Sequence, residues 1–122
     1  MPKDLRSFIA ELDATSPEDV ARVTKPVSPR YEMSAILTHL ERRKRFPLLF
    51  FQKSKDSQAP VVINAQASRR LMSIALECKP EHLARAFSER QSKPLAPVEM
   101  INAPVHEIAR TGDEIDLNEV PL

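Results

Sequence analysis

The chain has 122 residues and a mass of 13.8 kDa, which predicts one domain with a single modest core. Its 18 basic and 17 acidic residues leave a net charge of +1, so no overall field attracts nucleic acid or an acidic membrane surface. One glycine and one cysteine exclude glycine-rich phosphate loops, internal disulfides and a cysteine-based zinc framework.

Charged residues interrupt the only apolar stretch near the start, MPKDLRSFIAELD, which is therefore not typical of a signal peptide. The longest uncharged apolar run, residues 46–51, is far too short for a membrane span. The resulting expectation is a cytoplasmic protein without a membrane span.

Apolar residues at positions 0, 3, 4 and 7 predict a first helix over residues 4–13, with Asp4 as its N-cap. Dense β-branched residues predict a strand over residues 20–25. The pair Ser28-Pro29 then marks the start of a second amphipathic helix, which ends in the basic run 42–45.

Two continuous apolar runs, residues 47–51 and 60–64, predict buried strands joined by a loop short enough for an antiparallel hairpin. Because strand, helix and strand follow each other over residues 20–51, a right-handed crossover makes the first two strands parallel. We therefore expect the α/β class (α+β), with a small mixed β-sheet flanked by about four helices.

A third helix is predicted to start near Ala67 or Ser68 and to carry Cys78 on its apolar face. A fourth helix is marked by the spacing of four residues, Leu83, Ala86, Phe87 and Arg90. Three prolines then favour an extended segment over residues 92–104, and short strands are expected at 105–110 and 115–117. The predicted organisation is an α/β domain over residues 1–91 and an extended connector over residues 92–122.

Few side chains form patterns that carry chemistry. The chain has three histidines, His39, His82 and His106. None has another metal-ligating residue three or four positions away in a recognisable metal motif, so all three are interpreted as surface residues. Cys78 is interpreted as a buried structural thiol, the run 42–45 as a solvated helix end, and the acidic residues of 113–119 as a solvated tail. The junction 64–70 places two arginines beside a predicted helix start, but without glycines it favours an anion only weakly. We predict no catalytic, cofactor-binding or metal-binding residue.

A series of segments occurs in an order that is familiar from one protein family. In chain order they are KDLRSF (3–8), RV (22–23), VSPRYEMSAI (27–36), PLLF (47–50), PVVIN (60–64), SRRL (68–71), APV (103–105) and TGDEIDLNEVPL (111–122). The series resembles the N-terminal region of the UbiD-like decarboxylases over nearly the whole chain. The last segment is the most specific, and in the family it leads directly into the flavin-binding domain.

The resemblance implies a parent enzyme that uses prenylated FMN and a divalent metal to decarboxylate aromatic or α,β-unsaturated acids, reversibly and without oxidation. In the family, the metal ligands, the catalytic arginine and glutamates, and the flavin contacts all lie downstream, so none is carried onto a residue of this chain. Family glycines are replaced in the segments 17–19, 45–46, 56–57 and 64–68, which predicts different loop conformations there.

The favoured hypothesis is an N-terminal structural and assembly domain of such a decarboxylase, which is not catalytic alone. Its expected partner is the flavin-binding domain or subunit of the enzyme. The domain is also expected to support contacts in a possible homo-oligomer. The end of the chain at Leu122 favours part of a longer protein. One alternative is a free-standing small α/β interaction module or accessory subunit that docks through residues 92–104 and 120–122. A third hypothesis, a nucleic-acid binder using the basic residues of 42–45 and 69–70, is the least favoured.

Overall fold

Four α-helices and three β-strands lie within the residues that the computed structural model describes, which are 3–55, 57 and 59–119. In chain order they are α1 (Leu5–Thr15), β1 (Val20–Val23), α2 (Glu32–Arg42), β2 (Leu48–Phe51), β3 (Val61–Ile63), α3 (Arg69–Ala75) and α4 (Leu83–Gln91). Single 3-10 turns join several of these elements. The small α/β fold expected from the sequence is confirmed.

The sheet is mixed, and β2 is its central strand. β1 runs parallel to β2 with Val20 opposite Leu48, and β3 runs antiparallel to β2 with Ile63 opposite Leu49. The parallel pair is connected through α2, and β2 and β3 form a hairpin. Both connections predicted from the sequence are therefore confirmed.

Helices cover both faces of the sheet because successive strand residues point to opposite sides. On one face, Leu48 packs with α1 residues such as Leu12 and with Leu71 of α3. On the other face, Leu49 and Phe51 pack against α2. The side chains of these five residues are fully buried, so the core lies on both sides of β2.

The N-cap predicted at Asp4 and the third helix start predicted near Ala67 or Ser68 are both confirmed. The Asp4 carboxylate accepts a hydrogen bond from the Ser7 N–H (2.7 Å), and the Asp4 N–H donates to Ser7 Oγ (2.9 Å), which forms a capping box. The backbone and side chain of Ser7 hold the pKa of Asp4 below its ordinary value. Ser68 caps α3 by accepting from the Leu71 N–H (3.1 Å).

The start of α2 was predicted wrongly at Ser28-Pro29, because these residues form a turn and the helix begins at Glu32. The Glu32 carboxylate accepts the Ser28 N–H (2.6 Å), and Ser28 Oγ accepts the Arg30 N–H (3.3 Å), so this serine closes a turn. The same serine-proline pair suits both a turn and a helix start.

Two predictions in the second half were also wrong. The third helix ends at Ala75, three residues before Cys78, because Glu77 adopts left-handed backbone with φ 48°. Residues 105–110 and 115–117 are not strands. They lie in or beside 3-10 turns at Pro104–His106, Gly112–Glu114 and Leu117–Glu119. No strand of the described residues pairs with either segment, and a strand needs such a neighbour.

Candidate interaction surface

Residues 92–119, called the arm below, contribute no side chain to the two hydrophobic clusters of the packed layers. Every residue of the arm is exposed except Ala103, which is half-buried. Residues 92–104 were predicted to lack regular structure; residues 92–103 contain no helix or strand, but a 3-10 turn begins at Pro104. Large apolar side chains of the arm are 55–95% exposed: Leu95, Val98, Met100, Ile101, Val105, Ile108, Ile115 and Leu117. Exposed apolar surface of this kind is typical of contacts with another protein, a ligand or a membrane.

The part of the arm nearest its described end is held by local contacts. The Arg110 guanidinium pairs with the Glu119 carboxylate (2.5 Å), and the Asn118 N–H donates to Asp116 Oδ1 (2.9 Å). These contacts join residues close in sequence and bury little apolar surface. They shape the arm without covering its apolar side chains.

A second apolar surface lies between α3 and α4, and we call it the α3–α4 groove. It has a volume of about 330 Å³ and is lined by Gln66, Arg69, Met72, Ala75, Leu76, Leu83, Ala84 and Phe87. Arg69 is the one charged residue of this lining, and Phe87 is 58% exposed at the surface. An apolar floor with an exposed aromatic ring suits an apolar peptide segment.

Two arginines fix the position of α4 against α3. Arg69 Nη2 donates to the carbonyl oxygen of Pro80 (2.9 Å), and Arg90 Nη2 donates to the carbonyl oxygen of Leu76 (2.6 Å). Both bonds cross the turn between the helices. The groove is therefore a built feature of the fold.

A wider hollow of about 550 Å³ lies between α1 and the sheet. The Arg22 guanidinium there pairs with Asp13 and lies 4.8 Å from the centre of the Phe50 ring. These charges are compensated within the chain, so this hollow offers a ligand mainly apolar surface.

The charges of the chain are separated between its two parts. Residues 1–91 carry 16 basic and 11 acidic residues, a net charge of +5, whereas residues 92–122 carry 2 basic and 6 acidic residues, a net charge of −4. The overall charge of +1 conceals this separation. The separation is visible in the sequence when the charges of residues 1–91 and 92–122 are counted separately.

The arginines that the sequence placed at a weak anion site contact protein groups. Arg70 Nη2 lies 2.7 Å from Glu18 Oε1. Arg70 Nε lies 2.6 Å from Asp19 Oδ2, in an ion pair whose geometry is not that of a hydrogen bond. Arg69 donates to Pro80 as described above. The basic run 42–45 is exposed at the end of α2, as predicted.

The remaining candidate residues are dispersed. The three histidines are exposed, on α2 and in two separate 3-10 turns, and the surface interpretation is confirmed. Cys78 was predicted to be buried on a helix but is half-buried in the turn after α3, because that helix ends early. Over residues 3–55, 57 and 59–119, no three His, Cys, Asp or Glu side chains are grouped to hold a metal ion.

Two further findings concern the limits of the described chain. No helix within it combines the length and apolar character needed to cross a membrane. The docking residues predicted at 120–122 lie outside the described residues, as does Asp56 of one glycine-replaced loop.

Comparison with known proteins identifies a protein family and a similar solved structure. The family model described as the 3-octaprenyl-4-hydroxybenzoate carboxy-lyase N-terminal domain matches residues 13–91. The apo structure of 3,4-dihydroxybenzoic acid decarboxylases from Enterobacter cloacae is similar, with a TM-score of 0.69 and 28% sequence identity. That match covers 80% of this chain and 21% of the other, so the matched region is about a fifth of the decarboxylase chain.

Proposed function

This chain belongs to the UbiD-like decarboxylases as their N-terminal domain, and from that premise we propose that it is a structural and assembly domain rather than a catalyst. Its partner in this proposal is the flavin-binding domain or subunit of the decarboxylase. The contact is made by the distal arm, residues 105–119, which includes most of the segment that leads into that domain in the family.

The observation that carries the proposal is the exposed apolar surface of the arm. Burial of one Leu, Ile or Val side chain contributes about 1.5–3 kcal/mol. Four such side chains of the distal arm lie in solvent, which are Val105, Ile108, Ile115 and Leu117. Burial of these residues against a second domain supplies the apolar contribution to that contact.

The parent reaction in this proposal is the reversible, non-oxidative decarboxylation of an aromatic or α,β-unsaturated acid. Prenylated FMN supplies the electron sink when it is bound to the parent enzyme. The described residues contain no group of three His, Cys, Asp or Glu side chains that fits the divalent metal. We propose that another domain binds both the metal and the flavin.

The boundary between domain and connector belongs to the same proposal, with residues 1–91 as the domain and 92–122 as the connector. The family match and α4 both end at residue 91, which supports this boundary. A cytoplasmic location of the parent enzyme is a further part of the proposal, and cell fractionation tests it.

Gel filtration tests whether this chain binds the flavin-binding domain without binding the flavin itself. We expect the chain, mixed with the flavin and a divalent metal, to elute without a flavin absorbance band. The same chain should co-elute with the flavin-binding domain of a UbiD-like decarboxylase. Replacement of Ile115 and Leu117 by Asp should abolish co-elution, whereas the matched pair Leu95→Asp and Val98→Asp should not. A flavin band on the chain alone would refute the proposed division.

The same exposed arm also favours a second candidate, an accessory subunit that docks on a separately encoded flavin subunit. Capture of the endogenous protein followed by intact mass spectrometry separates the two. A mass several times 13.8 kDa identifies a domain of a decarboxylase. A mass near 13.8 kDa together with a captured UbiD-like subunit identifies an accessory chain.

A further inference from the structure

We propose that the basic run, residues 42–45, of one copy of this chain binds the carboxylates of the distal arm of a second copy. The contact is reciprocal, so two chains form a symmetric dimer in which each distal arm reaches the basic run of the other chain. This inference goes beyond the proposed function, because it uses the acidic side chains of the distal arm and a different partner.

The basic run carries four positive charges that the described chain does not neutralise. All four residues are exposed, and no residue of 3–55, 57 and 59–119 forms a hydrogen bond or an ion pair with their side chains. By contrast, the guanidinium groups of Arg22, Arg70 and Arg85 each pair with a carboxylate of the same chain. Four adjacent cations repel one another, so an anionic partner stabilises them.

The end of α2 accounts for only part of this positive charge. A helix dipole favours cations within the last turn of the helix. α2 ends at Arg42 and is capped by Arg43, so Lys44 and Arg45 lie beyond it. Phe46 follows directly and is 44% exposed. The basic run therefore offers surplus positive charge beside an exposed aromatic ring.

The distal arm carries the complementary negative charge. It contains five acidic residues and one basic residue, a net charge of −4, whereas residues 92–104 contain one of each sign. Arg110 pairs with Glu119 inside the distal arm. Among the described residues, four carboxylates of the distal arm have no basic partner, those of Glu107, Asp113, Glu114 and Asp116. Four uncompensated carboxylates thus stand against four uncompensated cations.

The two sets of charges do not meet within one folded chain. Every side-chain hydrogen bond and ion pair of the described distal arm joins two residues of 110–119. Neither the distal arm nor the basic run is therefore neutralised by its own chain. A second copy supplies both missing partners at once, with the charges matched on each side.

Sedimentation equilibrium of the full chain tests the dimer. Exposed ion pairs contribute little individually and are screened by salt, so several pairs must form together. Wild type should therefore approach twice the 13.8 kDa chain mass at about 50 mM salt and return to the chain mass at about 500 mM. A wild-type chain that stays monomeric at the lower salt concentration would overturn the proposal.

Charge reversal of the basic run tests its role. The pair Arg43→Glu and Arg45→Glu should weaken the dimer at least tenfold. The matched control is Lys25→Glu with Lys53→Glu, which changes the net charge equally. These exposed lysines follow the ends of the parallel strands β1 and β2, whereas the basic run precedes the start of β2. Equal weakening by both pairs would overturn the assignment to the basic run.

A mixing experiment identifies the second copy as the partner. The pair Asp113→Lys and Glu114→Lys should also weaken the dimer at least tenfold. When this chain is mixed with the Arg43→Glu, Arg45→Glu chain, each arm meets a run of opposite charge only on the other molecule. We expect a dimer of one chain of each type, although each variant alone is monomeric. A mixture that stays monomeric would overturn the exchange between copies. Circular dichroism verifies that the variants, all at exposed positions, fold.

Binding to the flavin-binding domain is scored separately. It depends on Ile115 and Leu117 in the proposed function, so co-elution with that domain should survive the Arg43→Glu, Arg45→Glu pair. Failure of the dimer and failure of the proposed function therefore give different results.

Discussion

Two charged residues, Lys44 and Glu77, adopt left-handed backbone where helices end, with φ of 56° and 48°. Each follows the last turn of a helix, α2 or α3. The next N–H in each case donates back five residues, from Arg45 to Leu40 and from Cys78 to Ser73, both at 3.0 Å. Glycine usually fills such a position, but the only glycine of this chain is Gly112.

Replacement of Lys44 by Gly should raise the free energy of unfolding by about 0.5–1 kcal/mol. Left-handed backbone costs an ordinary residue about 1–2 kcal/mol, and the added freedom of glycine in the unfolded chain costs about 0.4–1 kcal/mol. The first effect is the larger. Urea denaturation measures the difference.

The matched control for this substitution is Arg43→Gly, at the neighbouring position with φ −92°. No left-handed strain exists there, so glycine should destabilise the fold. Equal destabilisation by both substitutions would show that residue 44 is not left-handed in solution.

At the scale of elements, Glu32 ties the start of α2 to the loop between β2 and β3. Its carboxylate accepts from Lys55 Nζ (2.9 Å) and from the Ser28 N–H (2.6 Å). The Lys55 ammonium, followed by the Ser28 N–H, holds the pKa of Glu32 below its ordinary value of 4.5. The ionised form therefore binds its partners more tightly in the folded state than in the unfolded state.

This lowered pKa predicts an acid-dependent loss of stability. The contribution of Glu32 is present above pH 4.5 and is lost as the pH falls through the folded-state pKa. The stability difference between wild type and Glu32→Gln should thus narrow below pH 4.5. Thermal unfolding from pH 7 to pH 3 measures it, with Glu107→Gln on the arm as control. A difference that stays constant with pH would contradict this role.

The sequence predicted all seven helices and strands because apolar periodicity marks the helices, and runs of β-branched or apolar residues mark the strands. Their boundaries depend on individual bonds that periodicity does not contain. The Glu32 carboxylate moves the start of α2 past Ser28, and the left-handed Glu77 ends α3 before its apolar pattern stops at Cys78. The two short strands predicted in the arm are wrong for another reason. A strand requires a neighbouring strand to pair with, and the described chain has none beside these segments.

The candidate interaction surface was only partly predictable. The prolines correctly predicted the absence of a helix or strand over most of residues 92–104. Leu95, Val98 and Ile101, however, look like core residues in sequence, and only the fold shows them in solvent. Analysis by chemical motif could not detect the α3–α4 groove, because its lining consists mostly of ordinary apolar residues from two helices.

At the scale of the whole molecule, the arm contributes little to the stability of the domain that bears it. A chain that ends at Gln91 should unfold within about 2 °C of the full chain, because the arm adds almost no buried surface. Binding of a hydrophobic dye should fall in the same variant, since most of the large exposed apolar side chains are removed. Scanning calorimetry and dye fluorescence measure the two effects.

A chain that ends at His82 is the control for this truncation. It lacks α4 and with it the buried Leu83, so its unfolding midpoint should fall clearly below that of the full chain. Loss of cooperative unfolding in the chain that ends at Gln91 would instead show that the arm belongs to the core.

The exposure of the arm also bears on the lifetime of the protein. A protease needs an extended segment in its cleft, and the arm offers one without any unfolding. We therefore expect limited proteolysis to cut between α4 and the distal arm when the arm is uncovered, and to leave a covered arm intact. If the proposed partner covers the arm, degradation should remove the uncovered copies first.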